Sequence, residues 1–134
     1  MGVRRTFDIL ERLNSRFPKE DILAGKQNGK WVKYSMSDYR KYADFVSYGL
    51  LSMGYKKGDK IATIANNRPE WNFVDLGMAQ AGIVHVPIYP TISEEDYRYI
   101  LRHSEVKAVI ISNRNIFRKI RSVTRKIRKI KEVF

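Results

Sequence analysis

From Lys60 onward the chain alternates short, almost uninterrupted apolar runs with segments of helical periodicity, and this alternation restricts the fold more than any other feature. The apolar runs lie at 61–65, 83–88 and 106–111, and they are rich in Ile, Val and Ala. A strand that is apolar on both faces must be covered on both. Strands of that kind joined by helices form a parallel sheet flanked by helices. The helical segments carry their own start and stop chemistry. Asn66-Asn67-Arg68-Pro69-Glu70 opens one that runs to about Ala81, with an Asn as expected cap, Pro in the first turn and Glu near the positive end. Its apolar residues Trp71, Phe73, Val74, Leu76, Met78 and Ala79 lie on more than one side, which predicts a largely buried helix closed by Gly82. Ser93 and Asp96 form a capping-box pair for a helix reaching about His103.

The first 57 residues follow a different style. A short helix is expected at 6–17, capped by Thr6 and ended by Pro18. Two strand-like stretches, 22–24 and 31–34, flank Asn28-Gly29, a pair that tolerates positive φ and favours a hairpin. Ser35 precedes Asp38 by three, and Tyr39, Ala43, Val46, Leu50 and Met53 then make one helical stripe ending at Gly54. That helix is expected to pack on the same sheet. The fold class is therefore α/β, a parallel sheet with flanking helices preceded by a helix and a β-hairpin. The expected division is 6–57 for the helix/hairpin/helix lead-in and 58–134 for the β-α repeats.

The net charge of +12 points to nucleic acid only until it is located. The last 21 residues, from Arg114, hold nine basic side chains and one acid, whereas the preceding body is nearly balanced. Ile116, Ile120, Val123, Ile127, Ile130 and Phe134 recur there at spacings of four and three. Two readings stay open. The tail is a crossover helix over 114–131 docked on the sheet, or it is a cationic amphipathic helix for an anionic membrane surface or nucleic acid. The strand-helix rhythm favours the first. On that reading Val133-Phe134 begins a further strand cut before it pairs, and the bare sheet edge favours self-association. Cysteine is absent, so disulfides and thiolate chemistry are excluded. No apolar run reaches the ~20 residues that span a bilayer. The cytoplasm is the expected compartment, with peripheral contact to membranes.

Catalytic groups are scarce. His85 lies inside an apolar strand and His103 in the last turn of a helix, both readily explained by structure. Neither a Walker loop nor a G-x-G-x-x-G fingerprint occurs. Glu94-Glu95-Asp96 sits where a helix N-terminus favours negative charge. The loop 88–93 is the best remaining candidate, because ligands gather beyond the C-terminal ends of parallel strands. Its structural reading, a strand-to-helix turn stiffened by Pro90, is the one that spacing alone favours.

The stretch from Gly58 to Trp71 contains Asn67-Arg68-Pro69-Glu70-Trp71, and Gln80-Ala81-Gly82 leads into Val86-Pro87-Ile88-Tyr89-Pro90-Thr91. These motifs, with Trp31 to Tyr39 before them and 106–112 after, resemble the N-terminal part of the long-chain acyl-CoA synthetases of the AMP-forming adenylating superfamily. His85 stands where that family more often has a small or amide residue. The resemblance implies a fatty acid–CoA ligase that uses ATP, magnesium and coenzyme A. The phosphate-holding loop, ribose-binding acid, magnesium-binding glutamate and catalytic lysine of that family have no matching positions here. Asn67, Arg68, Pro69, Glu70, Trp71, Gly82, Pro87, Tyr89, Pro90 and Thr91 are thus expected as structural signature residues, with no catalytic, cofactor-binding or metal-binding residue in the chain. The implied partners are the remainder of the synthetase and its fatty acid, with no specific nucleic acid and only weak electrostatic contact with membranes. A free-standing binding module built on the cationic tail is the alternative.

Overall fold

The structure, a computed structural model, describes residues 2–134. In chain order the elements are α1 (Asp8–Arg16), β1 (Leu23–Gln27), β2 (Lys30–Tyr34), α2 (Met36–Ser52), β3 (Lys60–Ile64), α3 (Pro69–Ala81), β4 (Val84–Ile88), α4 (Glu94–Ser104), β5 (Ala108–Ile111), α5 (Arg114–Thr124) and β6 (Glu132–Val133). They group into two compact units. One holds the chain up to Lys56 together with Arg68–Gly82, and the other holds Lys57–Asn67 with Ile83–Phe134.

In the first unit β1 and β2 pair antiparallel around Asn28-Gly29, both at positive φ (49° and 79°) as the expected hairpin turn requires. Ser35 and Asp38 cap α2 reciprocally, and the Ser35 N–H and O–H bonds hold the Asp38 carboxyl below its ordinary pKa. The partner of α2 is α3. Phe73 of α3 is buried among the rings of Tyr34, Tyr39 and Tyr42, at centroid distances of 5.3, 5.8 and 5.0 Å. Gly77 is where the two helices meet most closely. A Cβ there would lie 2.7 Å from the Ala43 carbonyl oxygen and 2.6 Å from Val46 Cβ.

Three local expectations fail in this unit. Thr6 does not cap α1. Instead Asp8 folds back to accept the Arg4 and Arg5 N–H groups, at 3.1 and 3.0 Å. No Asn side chain caps α3, whose N-cap is Arg68 in extended conformation. Pro69 at the first helical position has no N–H, so α3 starts with one unpaired donor fewer. Nor is α3 buried all round. Trp71 is only half-buried, so the ~3–5 kcal/mol expected for Trp71→Ala in a full core falls to about 1–3 kcal/mol.

The second unit is a four-stranded sheet in the order β4-β3-β5-β6, with every pair parallel. Register aligns Ala62 with Val86 and Val109, and Ile64 with Ile88 and Ile111. These residues make one apolar face, and α4 and α5 cover it through Tyr97, Leu101, Ile116, Ile120 and Val123. The opposite face carries Ile61, Thr63 and Ala108, all buried, and His85, whose Nε2 lies 2.7 Å from Thr63 Oγ1. Pro87, which has no N–H to give a ladder, stands on the edge strand β4.

The tail departs from its expected form. The helix ends at Thr124 rather than 131, and 125–131 turns back to the sheet. Val133 pairs with Val109, and the Phe134 N–H donates to the Val109 carbonyl at 2.9 Å, so the end of the chain is a paired strand and no loose stub. The apolar stripe is nonetheless buried as the docked reading requires, since Ile116, Ile120, Val123 and Ile127 all lie in the core.

The close approach at Gly77 makes a test of the α2–α3 packing. Alanine is the better helix former by about 1 kcal/mol, but overpacking against a backbone carbonyl costs about 1–3 kcal/mol. Gly77→Ala is therefore expected to lower the urea midpoint. Gly49→Ala, on α2 with open space around its Cα, is expected to raise stability by about 0.5–1 kcal/mol. Equal responses at the two sites would show that Gly77 is not a packing contact.

Candidate functional site

The strand order singles out one place in the sheet. From β3 the chain goes out to β4 and then returns to the other side of β3 to lay down β5 and β6. The direction of winding thus changes between β3 and β5. In open α/β sheets the crevice beyond the carboxyl ends of such a strand pair is where ligands bind. Here those ends are Ala65-Asn66-Asn67 after β3 and Ser112-Asn113 after β5.

A small polar network ties the two ends together. The Ser112 N–H donates to the Ile64 carbonyl at 3.2 Å, extending the ladder by one bond. Ser112 Oγ accepts the Asn66 N–H at 3.2 Å and Asn113 Nδ2 at 3.3 Å. Asn113 Oδ1 accepts the Ile116 N–H at 3.0 Å and so caps α5. Asn66, Asn67 and Asn113 are exposed. The arrangement offers neutral amides and a hydroxyl. Groups of this kind can orient or wall a ligand through hydrogen bonds. Sequence reasoning missed this junction because strand order, not local pattern, creates it.

The loop after β4, the site favoured by sequence, is held by its backbone. The buried Tyr97 hydroxyl donates to the Tyr89 carbonyl at 3.0 Å, and burial pushes that phenol up from its ordinary pKa. Lys119 reaches the Ile92 carbonyl and lies 5.2 Å from the centre of the Tyr97 ring. Tyr89 and Thr91 themselves project into solvent, and Pro90 is half-buried.

The other signature residues divide between the units. In the first, Arg68 and Glu70 form an ion pair at 2.8 Å; the guanidinium lowers the Glu70 pKa and the carboxylate raises that of Arg68. Pro69 is buried against Gly25, where a Cβ would come within 2.8 Å of the proline ring. Gly82 ends α3 in the left-handed conformation, with φ of 70°. Pro87 and the exposed Asn67 belong to the second unit.

Of the remaining titratable candidates, Glu94, Asp96 and His103 have structural partners. Asp96 completes the capping box with Ser93, and Glu94 accepts from Arg98 and Ser122. His103 stacks on Tyr99 at 5.6 Å. Among the described residues no three His, Asp or Glu side chains come together as a metal cluster.

Comparison with known proteins gives this scaffold a family. The sequence profile described as "AMP-binding enzyme" matches residues 10–134. The chain belongs to the AMP-binding enzyme family. It is 30% identical over 98 residues to fatty acyl-CoA synthetase A of Dictyostelium discoideum, an alignment covering 72% of this chain and 14% of that protein. It is 26% identical over 109 residues to the long-chain-fatty-acid–CoA ligase heimdall of Drosophila melanogaster, covering 81% and 16%. The N-terminal domain of FACL13 from Mycobacterium tuberculosis superposes with a TM-score of 0.82 at 19% identity, over 98% of this chain and 34% of that one. The last likeness supports the fold alone. The chain spans about one-seventh of the length of the curated relatives it matches.

In this family member Ser112 is the link between the two strand ends. Ser112→Ala leaves the Asn66 N–H without its protein acceptor, at a cost of about 0.5–1.5 kcal/mol. Amide hydrogen exchange at Asn66 is expected to accelerate while exchange at Val109 in the sheet interior stays slow. Unchanged exchange at Asn66 would remove Ser112 from that role.

Proposed function

We propose that the chain is the N-terminal part of the large AMP-binding domain of an AMP-forming fatty acid–CoA ligase, and that it serves as scaffold. The similarity to long-chain acyl-CoA ligases over most of the chain carries this reading. In the parent reaction a fatty acid carboxylate oxygen attacks the α-phosphorus of ATP, and pyrophosphate leaves. The coenzyme A thiol then attacks the acyl carbonyl, and AMP leaves. Preorganised charge around the phosphates supplies much of the acceleration of such steps. The chain contributes a parallel sheet and, at the ends of β3 and β5, a neutral polar wall. ATP, magnesium and coenzyme A belong to residues of the synthetase outside these 134. The cytoplasm is the proposed location. No observation favours a free-standing module, since the family match takes in the cationic tail itself.

Two measurements test the proposal. The chain incubated with ATP, magnesium, palmitate and coenzyme A is expected to release no pyrophosphate above the blank. Turnover would place the chemistry within it. A chimera in which residues 10–134 replace the matching segment of the Dictyostelium synthetase is expected to form acyl-CoA within about tenfold of that enzyme, an allowance of roughly 1.4 kcal/mol in the barrier for imperfect packing. A chimera that folds and melts like the parent yet forms no adenylate would overturn the scaffold reading.

A further inference from the structure

The amino edge of the four-stranded sheet carries a charged cleft of its own. Register places Ile61, Ala108 and Glu132 side by side on β3, β5 and β6. One step earlier stand three lysines. The Lys107 N–H donates to the Lys60 carbonyl at 2.8 Å, and the Lys131 N–H to the Lys107 carbonyl at 2.9 Å. In parallel strands held in step, their side chains rise on one face, about 4.8 Å apart. Ile127 in the core and Ile130 against it anchor a turn, closed by the Ile130 N–H on the Ile127 carbonyl at 3.1 Å. The tip of that turn adds Arg128 and Lys129, and the five cations line one cleft of about 390 Å³. Only two acids face them, Asp59 and Glu105. Asp59 pairs with Lys107 at 2.6 Å and Glu105 with Lys129 at 2.5 Å. Among the described residues Lys60, Arg128 and Lys131 touch no carboxylate, and five cations against two acids leave a charge of +3.

The fold does not require this arrangement. Like charges directly opposite each other on neighbouring strands oppose pairing. The negative end of α4 favours a cation only within its last turn, and the three lysines stand at strand starts. Glu105, the C-cap of α4, is an acid at that negative end. It takes the left-handed conformation, with φ of 58°, which a residue with a Cβ seldom adopts. Lys129, by hydrogen bond and charge, and then Lys60 hold its carboxyl below the ordinary pKa. The acid thus belongs to the cluster and offsets only part of its charge.

We propose that this cleft binds an oligophosphate anion, a chain of phosphates either free or as the tail of a nucleotide. Its volume falls in the range of small-molecule sites. Four of the five cations are lysines. Their ammonium groups meet phosphate as point charges with rotatable donors, whereas planar carboxylates favour arginine forks. Both features favour a small phosphate anion over an acidic peptide. The lysine row spans about 10 Å, so a chain of two or three phosphates meets several ammonium groups where a single phosphate meets fewer. The cleft lies at the opposite ends of the strands from the Asn66–Ser112 junction. It therefore goes beyond the ligase reading and does not depend on it.

The experiment is titration of the chain, followed by amide NMR shifts at ~150 mM salt, with inorganic phosphate, pyrophosphate, tripolyphosphate and magnesium-free ATP. Tripolyphosphate is expected to bind tighter than pyrophosphate, and pyrophosphate tighter than phosphate. The shifted amides are expected at 58–60, 105–107 and 128–131, and not at Asn66 or Asn113. ATP binding tighter than tripolyphosphate would assign the nucleotide as the source, and equal or weaker binding the free chain. Lys60→Gln with Lys131→Gln removes no ion pair and should weaken tripolyphosphate at least about tenfold, the worth of one charged hydrogen bond. It relieves like-charge opposition, so it should melt no lower than the wild type. Arg114→Gln with Arg118→Gln, the same charge change at the start of α5, should keep affinity within about twofold, since exposed charges beyond ~8 Å are screened. The proposal is overturned by no binding at ~1 mM ligand, by phosphate as tight as tripolyphosphate, or by shifts confined to Asn66 and Asn113. Undiminished binding in the lysine variant, or equal loss in the arginine variant, overturns it too. A polyglutamate peptide that binds tighter through the same amides would overturn phosphate as the occupant.

Discussion

The central strand β3 depends on being paired on both sides and covered on both faces. Its residues Ile61 to Ile64 are all buried, and each backbone group there would be costly to leave without a partner. β4 satisfies one edge and β5 the other, both parallel. Parallel pairing forces a crossover between successive strands, and a crossover needs a helix or a long connection. The alternation of helix and strand through the second half of the chain is thus a consequence of one buried strand. The reversal between β3 and β5 follows too, because a strand with two open edges is completed first on one side and then on the other. The polar junction at Asn66 and Ser112 exists because of that return.

What the sequence revealed and what it hid divide along the range of the interaction. Ser35 with Asp38, Ser93 with Asp96, Gly82 and Asn28-Gly29 act within four residues, and each takes the conformation that its local chemistry implies. The strand positions were legible because a fully buried strand has few polar residues. Failures came where a distant partner decides. Helical periodicity persists in the sequence to Ile130, yet the helix stops at Thr124 because the chain must return in time for Val133 to pair with Val109. Trp71 sits in an apolar run but is only half-buried, since burial on α3 is set by where α2 lies and Phe73 takes the central place. No local pattern encodes strand order, so the Asn66–Ser112 junction could not be read at all. The signature residues were legible as a set, but their individual work, such as Pro69 against Gly25, needed coordinates.

The tail shows how a core can maintain a surface that its own helix would not. Three like-charged neighbours along Arg114, Arg118, Arg121 and Arg125 cost at most about 0.2–0.5 kcal/mol each in a helix. Burying one Ile or Val side chain contributes about 1.5–3 kcal/mol. With Ile116, Ile120 and Val123 in the core, packing outweighs repulsion several-fold, so the charge pattern is free to vary without unfolding the segment. An isolated 11-residue helix with this sequence would be marginal in water on length alone. The apolar stripe and the cationic stripe therefore have separate explanations. The first is required by the sheet, while the second is tolerated by the fold. Solvent and salt screen such charges beyond about 8 Å at physiological ionic strength.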